Sequence, residues 1–370
     1  MTTIVHVTAP AAFGGLERVV MGLTAATAAR GHQVILAMVL EPGVAPPAWS
    51  TSLTDSGVTV EPIHLHARAY GEERRRVLSL ARRHRADVVH THGFRSDVVD
   101  GLPLQRAGFP VVSTAHGFVR VDWRGRLYAR LQVRALRGFD AVVAVSRPLV
   151  DELSRAGVPA ARLVQITNGF VPSLAPRLSR AAARARLDLP ANGPVIGWVG
   201  RLSEEKAPEL AIAALGLLHN REAVLCVIGD GPHAASCREL ADRAGVGDRV
   251  RFAGVIANAE TLFNAFDVFV LSSRTEGTPM VLLEAADARV PIVATAVGGV
   301  PDVLGGSGGL LVPPDDPARL AAAIDASLDA PAAAIARMER MALKVSAPDA
   351  AGDWVEQYER LYERLRASAR

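Results

Sequence analysis

The chain has 370 residues, 49% hydrophobic and 21% charged. That is the composition of a folded globular protein, too long for one ordinary core, and it predicts two domains. The net charge of +3 conceals an asymmetry: residues 1–180 carry 22 Arg against 13 Asp and Glu (+9), and residues 181–370 carry 19 Lys and Arg against 25 Asp and Glu (−6). No apolar run reaches the roughly 18–20 residues of a membrane span. Met1-Thr-Thr-Ile-Val-His6 lacks the basic and apolar regions of a signal peptide. Cys226 and Cys237 give no disulfide framework; Cys226 lies in an apolar strand-like run, which reads as a buried thiol in a reducing cytosol. The basic first half points to an anionic contact, whether membrane surface, lipid phosphate or nucleic acid.

In chain order, Ile4–Thr8 reads as a first strand and Ala9–Gly15 as a loop, with Gly14-Gly15 giving close backbone approach ahead of a helix over Leu16–Ala29. The full G-x-G-x-x-G dinucleotide spacing is absent. Val34–Val39 is a second strand, Arg74–Arg85 a basic helix, and Asp87–His90 a strand leading into Thr91-His92-Gly93. Val111–Thr114 is a strand leading into Ala115-His116-Gly117, and Ala141–Val145 another, followed by Ser146 as N-cap; Leu163–Ile166 ends the set. This alternation predicts a doubly wound parallel sheet. His90 and His92 could be read as metal ligands, but no nearby cysteine or carboxylate completes a set. A neutral hydrogen-bonding or proton-transfer role in a cleft, or a strand-end cap, is the reading preferred.

Residues 120–137 hold Arg120, Arg124, Arg126, Arg130, Arg134 and Arg137, interleaved with Leu127, Tyr128, Leu131, Val133 and Leu136. Two readings stay open: a solvated basic face whose apolar side packs on the sheet, or a surface for an anionic membrane. Nucleic acid is not expected, since no binding motif accompanies the basicity.

Residues 171–193 hold several breakers and no strand-like run, and are read as the domain boundary. A second alternation follows, with strands at Pro194–Val199, Val224–Ile228, Val250–Phe252, Val268–Leu271 and Ile292–Thr295. The first delivers Gly200-Arg-Leu-Ser-Glu-Glu-Lys206, where a cation at each end of a loop can clamp a diphosphate from two sides. The fourth delivers Glu276-Gly-Thr-Pro-Met-Val-Leu-Leu-Glu284, with Pro279 at the first helical position and a helix from Met280. That loop lies at the carboxyl edge of the sheet, where free N–H groups and the helix dipole favour anions. Two carboxylates beside an anion site suit a phosphorylated sugar compound, amides on phosphate and carboxylates on hydroxyls. Residues 350–366 form a last amphipathic helix.

Taken together, Gly-Gly-Leu-Glu-Arg-Val-Val at 14–20, the Gly-Arg-Leu…Glu-Lys loop at 200–206 and Glu276-x₇-Glu284 resemble the family 4 retaining glycosyltransferases, the glycosyl transferases group 1 of GT-B fold. The resemblance implies two Rossmann-like α/β domains facing a cleft. Residues 1–180 would be an acceptor domain, 190–348 a nucleotide-sugar donor domain, and 349–370 a helix returning to the first. It implies Arg201 and Lys206 on the nucleotide diphosphate, Glu284 on the ribose, and Gly277, Thr278, Pro279 and Met280 at the donor. Glu276 would contact the transferred sugar, His116 would be the cleft histidine, and Gly15 would belong to the loop over the phosphates. No cofactor or metal is expected beyond a UDP- or GDP-sugar co-substrate, because two cations and a helix N-terminus meet the leaving charge. Retention by front-face attack is implied, with Glu276 positioning the sugar first and a nucleophile candidate second. The acceptor expected is a lipid-linked or glycan intermediate of cell-surface polysaccharide; a soluble small molecule, or a sugar-nucleotide epimerase of the same fold, is the alternative. The location expected is cytoplasmic, peripheral at the inner membrane face if Arg126, Arg130, Arg134 and Arg137 meet anionic lipid.

Overall fold

The computed structural model describes residues 1–10, 14–47, 49–117, 123–170, 176–305, 308–345 and 348–368. Residues 11–13 of the expected phosphate loop, Arg120 of the arginine series and residues 171–175 of the expected linker lie outside them. The chain divides into two compact units, Met1–Gly169 with Ala351–Arg370, and Phe170–Ala350.

The first unit holds a seven-stranded sheet. Its strands are β1 (Thr3–Thr8), β2 (Gln33–Leu40), β3 (Thr59–His64), β4 (Val88–His92), β5 (Val111–Ala115), β6 (Ala141–Ala144) and β7 (Leu163–Gln165). They run in the order β3-β2-β1-β4-β5-β6-β7, every pairing parallel. The second unit holds β8 (Val195–Val199), β9 (Val224–Ile228), β10 (Val250–Gly254), β11 (Val268–Leu271), β12 (Ile292–Thr295) and β13 (Leu310–Val312). Their order is β10-β9-β8-β11-β12-β13, again all parallel. Both are doubly wound α/β sheets, as the alternation predicts. Strands buried on both faces read as continuous apolar runs, and Val5, Ile35, Val89 and Val142 form one core, Ile196, Leu225, Val268 and Val270 the other.

Chain direction across each sheet reverses once, between β1 and β4 and between β8 and β11. In doubly wound sheets ligands bind beyond the carboxyl ends of strands at this reversal. The apolar runs do not pick out β3 and β13. Both are edge strands, β3 carries Pro62, and only Ile63 and Val312 among their residues are buried. Within the breaker-rich stretch a helix, Arg180–Arg186, forms on the Ser179 cap. Arg184 from it is buried, donating to Ala265 O, Pro190 O, Ala191 O and Asp267. Pro279 is the N-cap of Met280–Asp287 rather than its first residue, with ψ 102° outside the helical range. The helix Pro348–Ser368 joins the first unit and buries Trp354, Tyr358, Leu361, Tyr362 and Leu365.

Candidate active site

At the reversal of the second sheet the backbone is stitched before any side chain matters. Leu202 N donates to Asp230 O (3.0 Å) and His233 N to Leu202 O (2.9 Å), which lays the loop after β9 against the loop after β8. Gly229, at φ +137°, leaves room for this: a Cβ there would lie 1.9 Å from Gly200 O. Ser272, at the exit of β11, accepts from Trp198 Nε1 (3.0 Å) and donates to Ala207 O (2.8 Å), tying β8 and β11 to the end of the 200–207 loop.

Two candidate residues meet on this frame. Lys206 Nζ donates to both carboxylate oxygens of Glu276, at 2.7 and 2.9 Å. Ser273 Oγ donates to Glu276 Oε1 at 2.6 Å, and the Glu276 side chain is 6% exposed. Gly299 N donates to Gly277 O (3.0 Å), and Gly298, at φ +52°, sits where a Cβ would be 1.8 Å from Glu276 O. Thr278 is half-buried; Pro279, Met280 and Glu284 are buried, Glu284 in the second turn of the helix. Arg201 is not drawn into this cluster: its guanidinium is 60% exposed and pairs with Glu205 at 2.8 Å. The two cations therefore have separate carboxylate partners instead of facing one point. Sequence reasoning missed Arg274, which binds Glu209 and Asp315, both at 2.7 Å, and Glu204 O at 2.9 Å. It fastens the 200–207 loop to the exit of β11, and the signal for it was a cation directly after Ser272-Ser273. A cavity of about 690 Å³ in the same unit is lined by Pro194, Asp267 and Pro291, which precede β8, β11 and β12; it opens at the other edge of the sheet.

In the first unit, Gly15 opens the helix Gly15–Ala29 and is exposed, with Gly14 O accepting from Arg18 N. His116 follows β5 directly; its Nε2 is buried with no hydrogen-bond partner among the described residues, and burial pushes its pKa down to about 4. His90 and His92 do gain company, from a residue the sequence reading did not single out. His6 Nδ1 lies 2.9 Å from His92 Nε2. His90 contacts Tyr362 OH through Nδ1 and Thr114 Oγ1 through Nε2, both at 2.8 Å. Burial lowers His6 to about 3, and burial with the neighbouring imidazoles holds His90 and His92 well below the usual value, so all are neutral at physiological pH.

The helix Trp123–Leu136 corrects one reading of its apolar residues. Leu127, Tyr128 and Leu131 do not pack on the sheet: they are 45%, 49% and 40% exposed. Ala129, Gln132, Val133 and Leu136 are buried instead, and Gln132 Nε2 donates to Asp97 Oδ2 at 2.7 Å. The outward face carries Arg126, Arg130 and Arg134 among exposed apolar side chains. Arg137 departs from the series, its guanidinium donating to Ala156 O at the end of the next helix. Among the described residues no helix is long and apolar enough to cross a membrane.

The family model described as Glycosyltransferase Family 4 matches residues 13–174, and that described as Glycosyl transferases group 1 matches residues 193–330. A D-inositol 3-phosphate glycosyltransferase of Kineococcus radiotolerans is 33% identical over 284 residues, 66% of this chain and 64% of that protein; the match thus spans less than two thirds of the relative. Sucrose-phosphate synthase of Thermosynechococcus elongatus superposes with TM-score 0.81 at 25% identity, covering all of both chains. Anabaena HepE, solved in complex with UDP-glucose, superposes with TM-score 0.84 at 21% identity over 98% of this chain and 100% of that one, a likeness of fold. None of these supports the epimerase reading. With the two models accounting for its two Rossmann-like halves in order, this chain belongs to the family 4, group 1 glycosyltransferases of GT-B fold.

Proposed function

We propose that this chain is a retaining glycosyltransferase, moving a sugar from a UDP- or GDP-linked donor to an acceptor hydroxyl. The observation that carries the reading is the Lys206–Glu276 pair at the reversal of the second sheet. A cation and a carboxylate neutralise one another there until a ligand with more negative charge than one carboxylate arrives. A diphosphate meets that condition and takes the ammonium, which releases Glu276 toward sugar hydroxyls. Bond cleavage at the anomeric carbon builds positive charge on the sugar and negative charge on the departing diphosphate. Lys206, Arg201 and the amides at Thr278–Met280 stabilise the second, so no metal is needed for that step. Glu284 binds the ribose, Gly277 and Pro279 shape the donor loop, and Glu276 holds the sugar. From the first unit, Gly15 is assigned to the phosphates and neutral His116 to the reacting sugar. The departing phosphate takes the acceptor proton as the new bond forms on the same face.

The acceptor is lipid-linked or a glycan on the way to cell-surface polysaccharide, and the enzyme works in the cytoplasm against the inner membrane face. Support for this is the exposed Leu127, Tyr128 and Leu131 among arginines. A second reading, a soluble phosphorylated polyol as acceptor, is favoured by the name of the 33% identical relative. Initial rates with a donor panel, offered either an inositol phosphate or a vesicle-borne lipid phosphate, decide between them. A donor at 100 times its Kd also adds about 2.7 kcal/mol of stability, so thermal shift identifies the nucleotide independently. No shift with any nucleotide diphosphate sugar would end the transferase proposal.

A further inference from the structure

Three imidazoles converge on one face of the first sheet. His90 and His92 are two residues apart on β4, and the β1–β4 register sets His6 opposite His90, so all three side chains share a face. Each is at most 2% exposed, and each offers a ring nitrogen within 4.8 Å of the other two. The helix Pro348–Ser368 lies over them, with Tyr358 and Tyr362 fully buried. Tyr362 OH meets His90 Nδ1, and Tyr358 OH meets Thr114 Oγ1 (2.9 Å), which in turn meets His90 Nε2. Hydrogen bonding does not complete the cluster. His6 Nε2 and His92 Nδ1, the nitrogens that do not face each other, are buried without a partner among the described residues.

Neutral imidazole is the commonest protein ligand for a borderline-soft cation. His6 Nδ1 and His92 Nε2 lie 2.9 Å apart, a hydrogen-bond distance; two ligands of a tetrahedral ion at zinc–nitrogen lengths of about 2.0–2.1 Å stand about 3.3–3.4 Å apart, so the two rings part by roughly 0.5 Å to take one ion. His90 has hydroxyls at both nitrogens, so one can turn to the ion while the other keeps the hydrogen bond that orients a ligating ring. We propose that His6, His90 and His92 form a buried site for one divalent transition-metal ion of the zinc class, joining β1 and β4 beneath the C-terminal helix. Three protein donors hold the ion and a water takes the fourth position. The ion is structural: it ties β1 to β4 beneath the last helix and does not act on the sugar donor. The site stands independently of the transferase reading.

The test uses the full chain without a histidine tag, stripped with a strong chelator under mild denaturant, refolded and dialysed against Zn²⁺ or Co²⁺. The expected result is about one retained equivalent per chain, the visible d–d bands of a tetrahedral Co²⁺ complex, and an unfolding midpoint raised by the metal. Zinc-edge X-ray absorption of the wild type should count three imidazole ligands. Asn at position 6 places its amide near Nδ1, and Gln at position 92 near Nε2. The double variant His6→Asn/His92→Gln should therefore fold and lose at least about tenfold in retained metal. His116→Gln should retain it. A wild type that keeps no metal and gives no Co²⁺ bands, or a double variant that retains as much as wild type, overturns the proposal. A hydrated histidine cluster is then the correct description.

Discussion

The two sheets reverse at equivalent places and fill the reversal differently. Between β1 and β4 the chain puts three buried, neutral imidazoles under two tyrosines. Between β8 and β11 it puts a half-buried ammonium, a carboxylate and an exposed guanidinium on glycine-bearing loops. Desolvation explains the contrast. Histidine can shed its charge at little cost when buried, whereas lysine and glutamate keep theirs only with a partner and some water. The first reversal is consequently closed by packing and the second by charge. A packed closure stays shut, while a charge-paired one opens to any ligand that outbids the pair.

The largest expected effect breaks the charged closure. Lys206→Ala leaves the buried Glu276 carboxylate unpaired and removes the cation nearest it, and should lower kcat/KM about 10²–10³-fold. Arg201→Ala, whose side chain is 60% exposed and paired with Glu205, should cost about tenfold. Steady-state kinetics on both variants ranks them. Equal losses would mean that Arg201 leaves Glu205 and carries as much of the diphosphate charge as Lys206 does.

The next effect tests what burial does to a charge in the first unit. Burial pushes Asp97 up to about 6, although Thr91, Gln132 and Ser113 all donate to it. A raised carboxyl pKa means that the folded state holds a proton which the unfolded chain has already lost. Between about pH 4 and 6 the unfolded state therefore binds fewer protons, and stability falls as pH rises through that window. Asp97→Asn, with the Gln132 amide turned to accept, removes this slope. The variant's stability minus that of wild type should grow by on the order of 3 kcal/mol from pH 4 to 6.5, read by denaturant titration. A pH-independent difference would mean that Asp97 is ionised throughout.

A third effect concerns the loops that carry the charged pair. Gly298→Ala combines a left-handed φ with a Cβ 1.8 Å from Glu276 O, while Gly31→Ala in the first unit has φ +85° and open space around it. Gly31→Ala should cost about 1 kcal/mol, the conformational term alone. Gly298→Ala should cost about 1–3 kcal/mol more and raise donor KM, because the backbone of Glu276 must move. Similar costs at the two positions would show that the 276–277 and 298–299 loops are not rigidly apposed.

These contrasts were unevenly legible in the sequence. The runs at 224–228, 268–271 and 292–295 gave their strands directly, since a strand buried on both faces is almost wholly apolar. Lys206 and Glu276 are 70 residues apart, and their spacing against a known motif, not their chemistry alone, singled them out. The histidine cluster was half visible. His90 and His92 are two residues apart, but His6 is 86 residues from His92, and only sheet register brings them together. Tyr358 and Tyr362 read as an apolar helix face, and their hydroxyl contacts needed coordinates. The helix at 123–136 was the least legible, since arginines recurring every three or four residues mark two possible faces, and sequence does not say which one meets the sheet.

That helix supplies the smallest expected effect. Leu127, Tyr128 and Leu131 are exposed beside Arg126, Arg130 and Arg134, so the helix offers lipid both insertion and charge. Each arginine near an anionic bilayer is worth about 1 kcal/mol, and each apolar side chain entering the interface adds a similar amount. Binding to vesicles with anionic lipid should therefore weaken about fivefold per Leu131→Ser or Arg130→Gln change. The two should respond differently to salt: raising ionic strength shortens the Debye length, weakens the arginine contribution and leaves the apolar one. Both positions face outward, so stability should change by no more than about 0.5 kcal/mol. Co-sedimentation at low and high salt, with and without anionic lipid, reads the effect. Wild type and the Leu127/Tyr128/Leu131→Ser variant partitioning equally would remove the membrane and leave a soluble phosphorylated acceptor as the reason for the basic first half.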